Sequence, residues 1–454
     1  MTPLLLASFP ETPKNCSPLV HKAARAGVVR RAGIRLLTLG LSGDAGAGSR
    51  IKKALRNERS LGSKDRRLVS ETAWQAIKCQ RRLVLLLEQD GWKGDNREKA
   101  LWLAALVRWA GLPPEEADVQ MGEHCFKSCA HPVPTVEKWL SETSPEDEEI
   151  LARLGSLPDW FARALLSEHT PQEAAEIAIS LQKKAPTTLR ANTRKISRDA
   201  LIEALTQEGV QVHAGTLSPQ AIHVDMRANL VGLAPWRKGL FELQDEGSQL
   251  VAQLVQPARS NHVVDFCAGA GGKTLALAAI LPRGGRLWAL ETRHAALDEC
   301  RHRLKRARAQ GVESHRIEEE GELPIPSKSA QRVLVDAPCS GSGTWRRNGT
   351  ARWNAQSENI DAFRELQGRI LQRASSLVAP EGRLIYATCS LLKAENEDVV
   401  DRFLQDNPGW AIMNIREVPG GHGAVTTGNG LFLKTFPHRH GCDAFFAAVL
   451  VPDK

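Results

Sequence analysis

Val263-Val264-Asp265-Phe266-Cys267-Ala268-Gly269-Ala270-Gly271-Gly272-Lys273-Thr274 starts as an apolar run of strand length and passes into a glycine-rich turn that opens a helix. A buried strand leading through such a turn into a helix is one βα unit, and repeated units build a doubly wound parallel sheet. The pattern recurs downstream. Leu287-Trp288-Ala289-Leu290-Glu291, Val333-Leu334-Val335 and Leu384-Ile385-Tyr386 read as further buried strands, and Asp443 to Leu450 reads as the last one. An α/β domain is therefore expected from Phe241 to the C-terminus, residues 241–454.

The glycine turn fits neither common phosphate-binding pattern. A P-loop needs glycine five positions before Gly272, where Cys267 stands. The dinucleotide fingerprint places its third glycine at Thr274. What the glycines do permit is close backbone approach, with helix N–H groups behind them for an anionic group. Cys267, Ala268, Gly269, Ala270, Gly271, Gly272 and Lys273 form the candidate cofactor loop; a purely structural turn is the alternative. Glu291 ends the next strand, and a carboxylate at a strand end can accept two ribose hydroxyls in nucleotide-binding folds generally.

Two thiols follow strands in short distinctive frames: Asp336-Ala337-Pro338-Cys339-Ser340-Gly341 and Tyr386-Ala387-Thr388-Cys389-Ser390. Open α/β sheets carry their chemistry beyond the C-terminal ends of strands, and a thiolate there offers covalent catalysis. The alternative for each is an inert buried thiol.

Asp-Ala-Pro-Cys-Ser-Gly-Ser-Gly-Thr, with Thr-Cys-Ser followed by Glu395-Asn396-Glu397, resembles the RNA 5-methylcytosine methyltransferases of the RsmB/NOP group. The resemblance runs from about Leu157 to the C-terminus. It implies a Rossmann-like sheet that binds S-adenosyl-L-methionine, with the methionine carboxylate at the glycine loop and the ribose on Glu291. It further implies Cys389 as nucleophile toward C6 of cytosine, Cys339 in product release, and Asp336 on the cytosine edge. Asp336 also borders the cofactor. Lys273 either lowers a thiol pKa or orients Asp336. The family loop is more often Ala-Pro-Gly-Gly-Lys, and Gly269-Ala270 replaces Ala-Pro here. An acidic contact to the adenine belongs near Ile317–Glu320, without a clear register. Arg346, Arg347 and Arg352 are candidate RNA contacts, with Trp345 and Trp353 available to stack on unpaired bases. Arg301, Arg303, Lys305, Arg306 and Arg308 read as a solvated helix face.

Residues 21–67 hold thirteen Lys/Arg against three acids, an excess of ten that exceeds the +8 of the whole chain. Charge of that sign suits a phosphate backbone, or else a solvated helix face. Leu68–Ile77 and Ala100–Val107 carry helical apolar spacing. Ser63-Lys64-Asp65-Arg66-Arg67 before an apolar helix resembles NusB-like domains, which implies an all-α, RNA-binding domain over residues 21–142 after an extension, 1–20. Acidic, turn-rich Pro145–Glu148 is a candidate linker. Residues 150–240, with Thr188-Leu189-Arg190-Ala191-Asn192-Thr193, resemble the small α/β RNA-contacting subdomain of the family. His124, Cys125, Cys129 and His131 have plausible zinc spacing, but buried thiols and surface histidines are the commoner outcome, and no metal is assigned.

No apolar stretch reaches the ~18–20 residues of a membrane span. The N-terminus is a poor signal peptide, and nine cysteines, several of them next to proposed catalytic loops, fit a reducing cytosol better than a disulfide framework. A cytoplasmic RNA cytosine-C5 methyltransferase is expected, with ribosomal RNA as the favoured substrate, transfer RNA next, and no obligate protein partner. A catalytically silent, RNA-binding ribosome-assembly factor is the rival from another class.

Overall fold

The computed structural model describes residues 17–25, 27–44, 46–131, 147–418 and 425–453. Most of the expected N-terminal extension and half of the expected linker at Pro145–Glu148 lie outside them. The chain forms two compact units: residues up to Lys184 with Trp345–Ser357, and Ala185–Thr344 with Glu358–Lys454. Helices Glu148–Gly155, Asp159–Glu168 and Pro171–Ser180 fall in the first of these compact units.

The helical unit is built around Arg97–Ala110, in which every residue from Ala100 to Val107 is buried. A helix apolar on all sides must be enclosed by others. Helix Val28–Leu41 comes close to its neighbours because two of its residues lack a Cβ. One placed at Gly33 would lie 2.5 Å from the Trp102 ring, and one at Gly40 would lie 2.2 Å from Ile77. The Trp102 indole N–H, sealed inside, donates to the carbonyl of Ala23 at 3.0 Å.

Trp345–Ser357 joins this unit although it follows the Pro-Cys loop in sequence. Trp345 is fully buried, its ring 4.6 Å from that of Phe161. Arg352 is also fully buried. Its guanidinium donates to the carbonyls of Lys78, Ser156 and Leu181 at 3.1, 2.8 and 2.9 Å. These carbonyls lie at the C-terminal ends of helices Ser63–Lys78, Glu148–Gly155 and Pro171–Ser180. Three helix ends, each with unpaired carbonyls and a partial negative charge, converge on one cation. Arg352 and Trp345 are thus corrected from RNA contacts to packing residues, and Arg346 is buried as well. Of the three arginines named from sequence, Arg347 is the exposed one. Trp353 is half-buried, its indole N–H donating to Ile77 at 2.8 Å.

In the second unit, β1 (Thr187–Ala191), β2 (Val212–Ala214), β3 (Ala221–Val224) and β4 (Phe241–Leu243) form an antiparallel sheet ordered β2-β3-β1-β4. Helix Arg198–Gln207 covers it through Leu201 and Leu205, packed with Leu189, Ile222 and Phe241. The large sheet contains β5 (His262–Asp265), β6 (Arg286–Glu291), β7 (Val312–Arg316), β8 (Ala330–Asp336), β9 (Val378–Thr388), β10 (Trp410–Met413), β11 (Phe432–Thr435) and β12 (Phe445–Pro452). Its order is β7-β6-β5-β8-β9-β12-β10, with β11 also on β12. Strands β5 to β9 are mutually parallel and β12 runs antiparallel to β9. The chain winds outward from β5 through β6 to β7, then returns to β8 on the other side of β5. Ligands of such sheets bind at that reversal. Val333–Val335 and Leu384–Ala387 are fully buried, as strands covered on both faces must be. Among the described residues, no helix is long and apolar enough to cross a membrane.

Burial pulls the Lys78 ammonium down from 10.5 to about 8, with Arg352, Arg346 and Lys184 adding and Cys79 opposing. The unfolded chain keeps this proton up to about pH 10.5 and the folded chain releases it near 8, so stability rises with pH across that window. Below it, the buried charge costs about 3 kcal/mol. Lys78→Met is expected to raise the urea midpoint at pH 7 and to flatten its rise between pH 7 and 10. An unchanged midpoint at pH 7 would show that the charge is solvated.

Candidate active site

Three adjacent strands end in an acid: Asp265 on β5, Glu291 on β6 and Asp336 on β8. The glycine loop leaves β5 between them. Gly269 and Gly271 have φ of 55° and 83°, the left-handed region that favours glycine. A Cβ on Gly271 would lie 2.6 Å from the Cys300 sulfur, so this position needs glycine for space as well. Gly272 begins helix Gly272–Ile280, and a Cβ there would meet nothing within 4 Å. The Gly269 N–H donates to Glu291 Oε2 at 2.7 Å, tying the loop to the neighbouring strand end. Glu291 Oε1 accepts from the Arg293 backbone at 2.9 Å and from its Nε at 3.0 Å.

Asp265 was read from sequence only as part of a strand. It is fully buried, accepts from the Thr274 hydroxyl at 2.6 Å, and its Oδ1 has no hydrogen-bond partner. Burial pushes its carboxyl up to about 7, with the charges of Asp336 and Glu291 acting in the same sense. Its position before the glycine turn was the only available signal. Burial likewise pushes the Cys267 thiol well above its ordinary range.

Lys273 is buried, with its Nζ 2.7 Å from Asp336 Oδ2 and 4.9 Å from the centre of the Phe445 ring. The Sγ atoms of Cys339 and Cys389 lie 3.5 Å apart. The Cys339 thiol is pushed well above the usual thiol range, first by its hydrogen bond to Cys389, then by burial and by the charges of Cys389 and Glu395. The sheet thus gathers Cys339 with Cys389 and Lys273 with Asp336. It also gathers Gly269 with Glu291.

Other expectations change in detail. Arg303 and Arg306 are not on a solvated face: both pair with buried Glu242, Arg303 at 3.0 Å, and Arg306 stacks 3.6 Å over the Trp236 ring. Arg303 also donates to the loop carbonyl of Ala270 at 2.6 Å. Glu318, Glu319 and Glu320 are exposed. In the helical unit, Cys125 and Cys129 lie in the core while exposed His124 pairs with Asp118. Among the described residues, no three candidate ligands converge on a metal position.

These residues fit S-adenosyl-L-methionine. The open space over Gly272 and the free helix N–H groups behind it suit a carboxylate, and Glu291 at the end of β6 suits a ribose. Gly271→Ala is expected to lower the melting temperature and abolish cofactor binding together. Gly272→Ala should keep the melting temperature and still weaken binding by about tenfold, because only the ligand meets its methyl group. Calorimetric titration with S-adenosylmethionine checks this; full affinity in Gly272→Ala would place the cofactor elsewhere.

Residues 252–451 match the family model described as 16S rRNA methyltransferase RsmB/F, and residues 157–230 match the ferredoxin-like domain of Methyltr_RsmF/B-like proteins. The chain is 28% identical over 426 residues to a protein of Synechocystis sp. named "Probable ribosomal RNA small subunit methyltransferase B", covering 88% of this chain and 94% of that one. It is 29% identical over 396 residues to ribosomal RNA small subunit methyltransferase B of Pseudomonas putida, covering 84% and 89%. Among solved structures, NSun6 from Pyrococcus horikoshii with SFG, an S-adenosylmethionine analogue, shares the fold. That match has a TM-score of 0.57 at 19% identity and covers 64% of this chain and 97% of that one. The two adjoining domain matches, on a sheet whose strand ends carry the cofactor loop and paired thiols, identify the chain as a member of the RsmB/F family of S-adenosylmethionine-dependent RNA methyltransferases.

Proposed function

We propose that this protein methylates C5 of cytosine in ribosomal RNA through a covalent adduct between Cys389 and C6 of the base. The observation that carries this reading is the pair of thiols 3.5 Å apart beyond two neighbouring strand ends, next to the Lys273–Asp336 pair. C5 of cytosine is a poor nucleophile. When the Cys389 sulfur bonds to C6, the C5=C6 π electrons become available at C5, which then attacks an electrophilic methyl group. The bound cofactor supplies that methyl group from its sulfonium. Removal of the C5 proton re-forms C5=C6 and expels the Cys389 thiolate.

Cys339 touches Cys389 and is assigned to that release as acid or base. Asp336 is assigned to the cytosine edge, at N3 or the exocyclic amine. With its ammonium on Asp336 Oδ2, Lys273 is better suited to orienting that carboxylate than to activating a thiol directly. The target base has to be unpaired or flipped to meet Cys389.

In the helical unit, Arg31, Arg35, Lys52, Lys53, Arg56, Arg59, Lys64 and Arg67 are exposed. They support RNA binding there, as a NusB-like domain would provide. Arg66 is excluded, since its guanidinium donates to the carbonyls of Glu58 and Leu61 at 3.0 and 3.1 Å.

The test is methyl transfer from labelled S-adenosylmethionine to total RNA, followed by separation of ribosomal from transfer RNA. Wild type is expected to label 5-methylcytosine in ribosomal RNA. Cys389→Ala should give no product, and Cys339→Ala should leave a protein–RNA adduct that survives denaturation. Label in transfer RNA alone would change the substrate. RNA binding without transfer would favour a silent assembly factor.

A further inference from the structure

The two loops that carry the thiols are tied together by a residue outside the reaction. Glu395 is fully buried, and both of its oxygens are occupied. Oε1 accepts from the backbone N–H of Ser340 at 2.8 Å and from Gln367 Nε2 at 3.1 Å. Oε2 accepts from the hydroxyls of Ser340 and Ser390, each at 2.5 Å. Ser340 follows Cys339 in the chain and Ser390 follows Cys389, so one carboxylate holds the residue next to each thiol. Gln367 extends the tie by donating to the carbonyl of Pro338, just before Cys339, at 2.9 Å.

We propose that Glu395 is a positioning residue that keeps Cys339 and Cys389 side by side. Neither strand end can do this alone. Cys339 stands three residues past the end of β8, on a loop containing Pro338 and Gly341, and Cys389 directly follows β9. The loops share one direct backbone hydrogen bond beyond the strands, from Gly343 N–H to the carbonyl of Cys389 at 2.9 Å. The Ser342 hydroxyl adds a contact by accepting from the Leu391 N–H at 2.9 Å, and four hydrogen bonds to one buried carboxylate, two of them from hydroxyls on opposite loops, add most to the tie. Charge-assisted bonds are the stronger kind, and burial strengthens them further. Glu395 is itself fixed from behind. The Tyr386 hydroxyl donates to its backbone carbonyl at 2.6 Å, and the next residue, Asn396, accepts from Thr388 at 2.5 Å and donates to the carbonyl of Ser390 at 3.0 Å.

Glutamine can replace much of this arrangement. Its carbonyl can take the two N–H donors while its amide donates to the two serine hydroxyls, which turn to accept. Alanine cannot. The carboxylate reaches the thiols through Ser340, Ser390 and the Gln367–Pro338 contact, and its charge also bears on the Cys339 thiol, so removing it should affect turnover and not RNA affinity.

The proposal rests on the two-cysteine reading above, and its test has one arm that needs no methyl transfer. Phenylarsine oxide condenses with two adjacent thiols, forming two As–S bonds and releasing one water. Wild type is expected to capture one arsenic across Cys339 and Cys389, located by peptide mass. Glu395→Ala should capture it at least about tenfold more slowly, and Glu395→Gln should recover to within about threefold. In single-turnover methyl transfer, Glu395→Ala should lower the rate by about thirtyfold or more with an unchanged RNA affinity, and Glu395→Gln should restore most of it. Circular dichroism confirms that the variants are folded. If Glu395→Ala captures arsenic as fast as wild type, or if wild type captures none at this pair, Glu395 does not position the thiols. If the capture pattern holds while wild type transfers no methyl group, the positioning role stands and the methyltransferase chemistry falls.

Discussion

Strands β8 and β9 lie side by side in parallel, and their register decides where both thiols fall. Asp336 pairs with Ala387, Val335 with Tyr386 and Leu334 with Ile385. The ladder is prolonged past the end of β8 by the N–H of Ala337, which donates to the carbonyl of Ala387 at 2.9 Å. A slip of one residue would turn each buried side chain of one strand to the opposite face and carry its thiol away from the other. Full burial of Val333–Val335 and Leu384–Ala387 between helical layers specifies that register strongly. The site thus depends on ordinary hydrophobic burial several residues from the reacting atoms.

The cofactor half follows from the same geometry. Strands β5 and β8 are neighbours at the point where the strand order reverses, the place where such sheets take their ligands. The glycine loop turns beyond β5 because two of its residues adopt left-handed conformations that few side chains allow. The small antiparallel sheet also reaches this loop. Gln244, just after β4, donates to the carbonyl of Gly272 at 3.3 Å and accepts from buried Arg190 at 2.5 Å. Arg303 on the helix after β6 holds the carbonyl of Ala270. The loop is therefore braced from outside as well as by its own turn.

Much of this was legible in the sequence, because parallel strands buried on both faces appear as unbroken apolar runs and the acids and glycines at their ends stand out. What was not legible depends on partners far along the chain. Arg352 looked like a nucleic-acid contact because it sits in an arginine- and tryptophan-rich segment. Its burial requires helix ends at residues 78, 156 and 181, which no local pattern brings together. Arg303 and Arg306 looked solvated until Glu242, more than sixty residues earlier, was seen between them. Glu395 was visible as part of a motif, but its contacts with Ser340 and Ser390 exist only once β8 and β9 are paired.

The ends of β5, β6 and β8 place three carboxylates along one edge of the sheet, and charges so close must be compensated or neutralised. Each acid meets this differently. Asp336 has the ammonium of Lys273. Glu291 has Arg293 and the Gly269 N–H. Asp265 has only a hydroxyl and a buried, unpaired oxygen, and its carboxyl shifts up to about 7, so at neutral pH it is charged for only part of the time. The edge therefore avoids the cost of three full, uncompensated buried charges. That balance suits a cofactor whose sulfonium and amino group are cationic and whose single carboxylate can be met by helix N–H groups at Gly272.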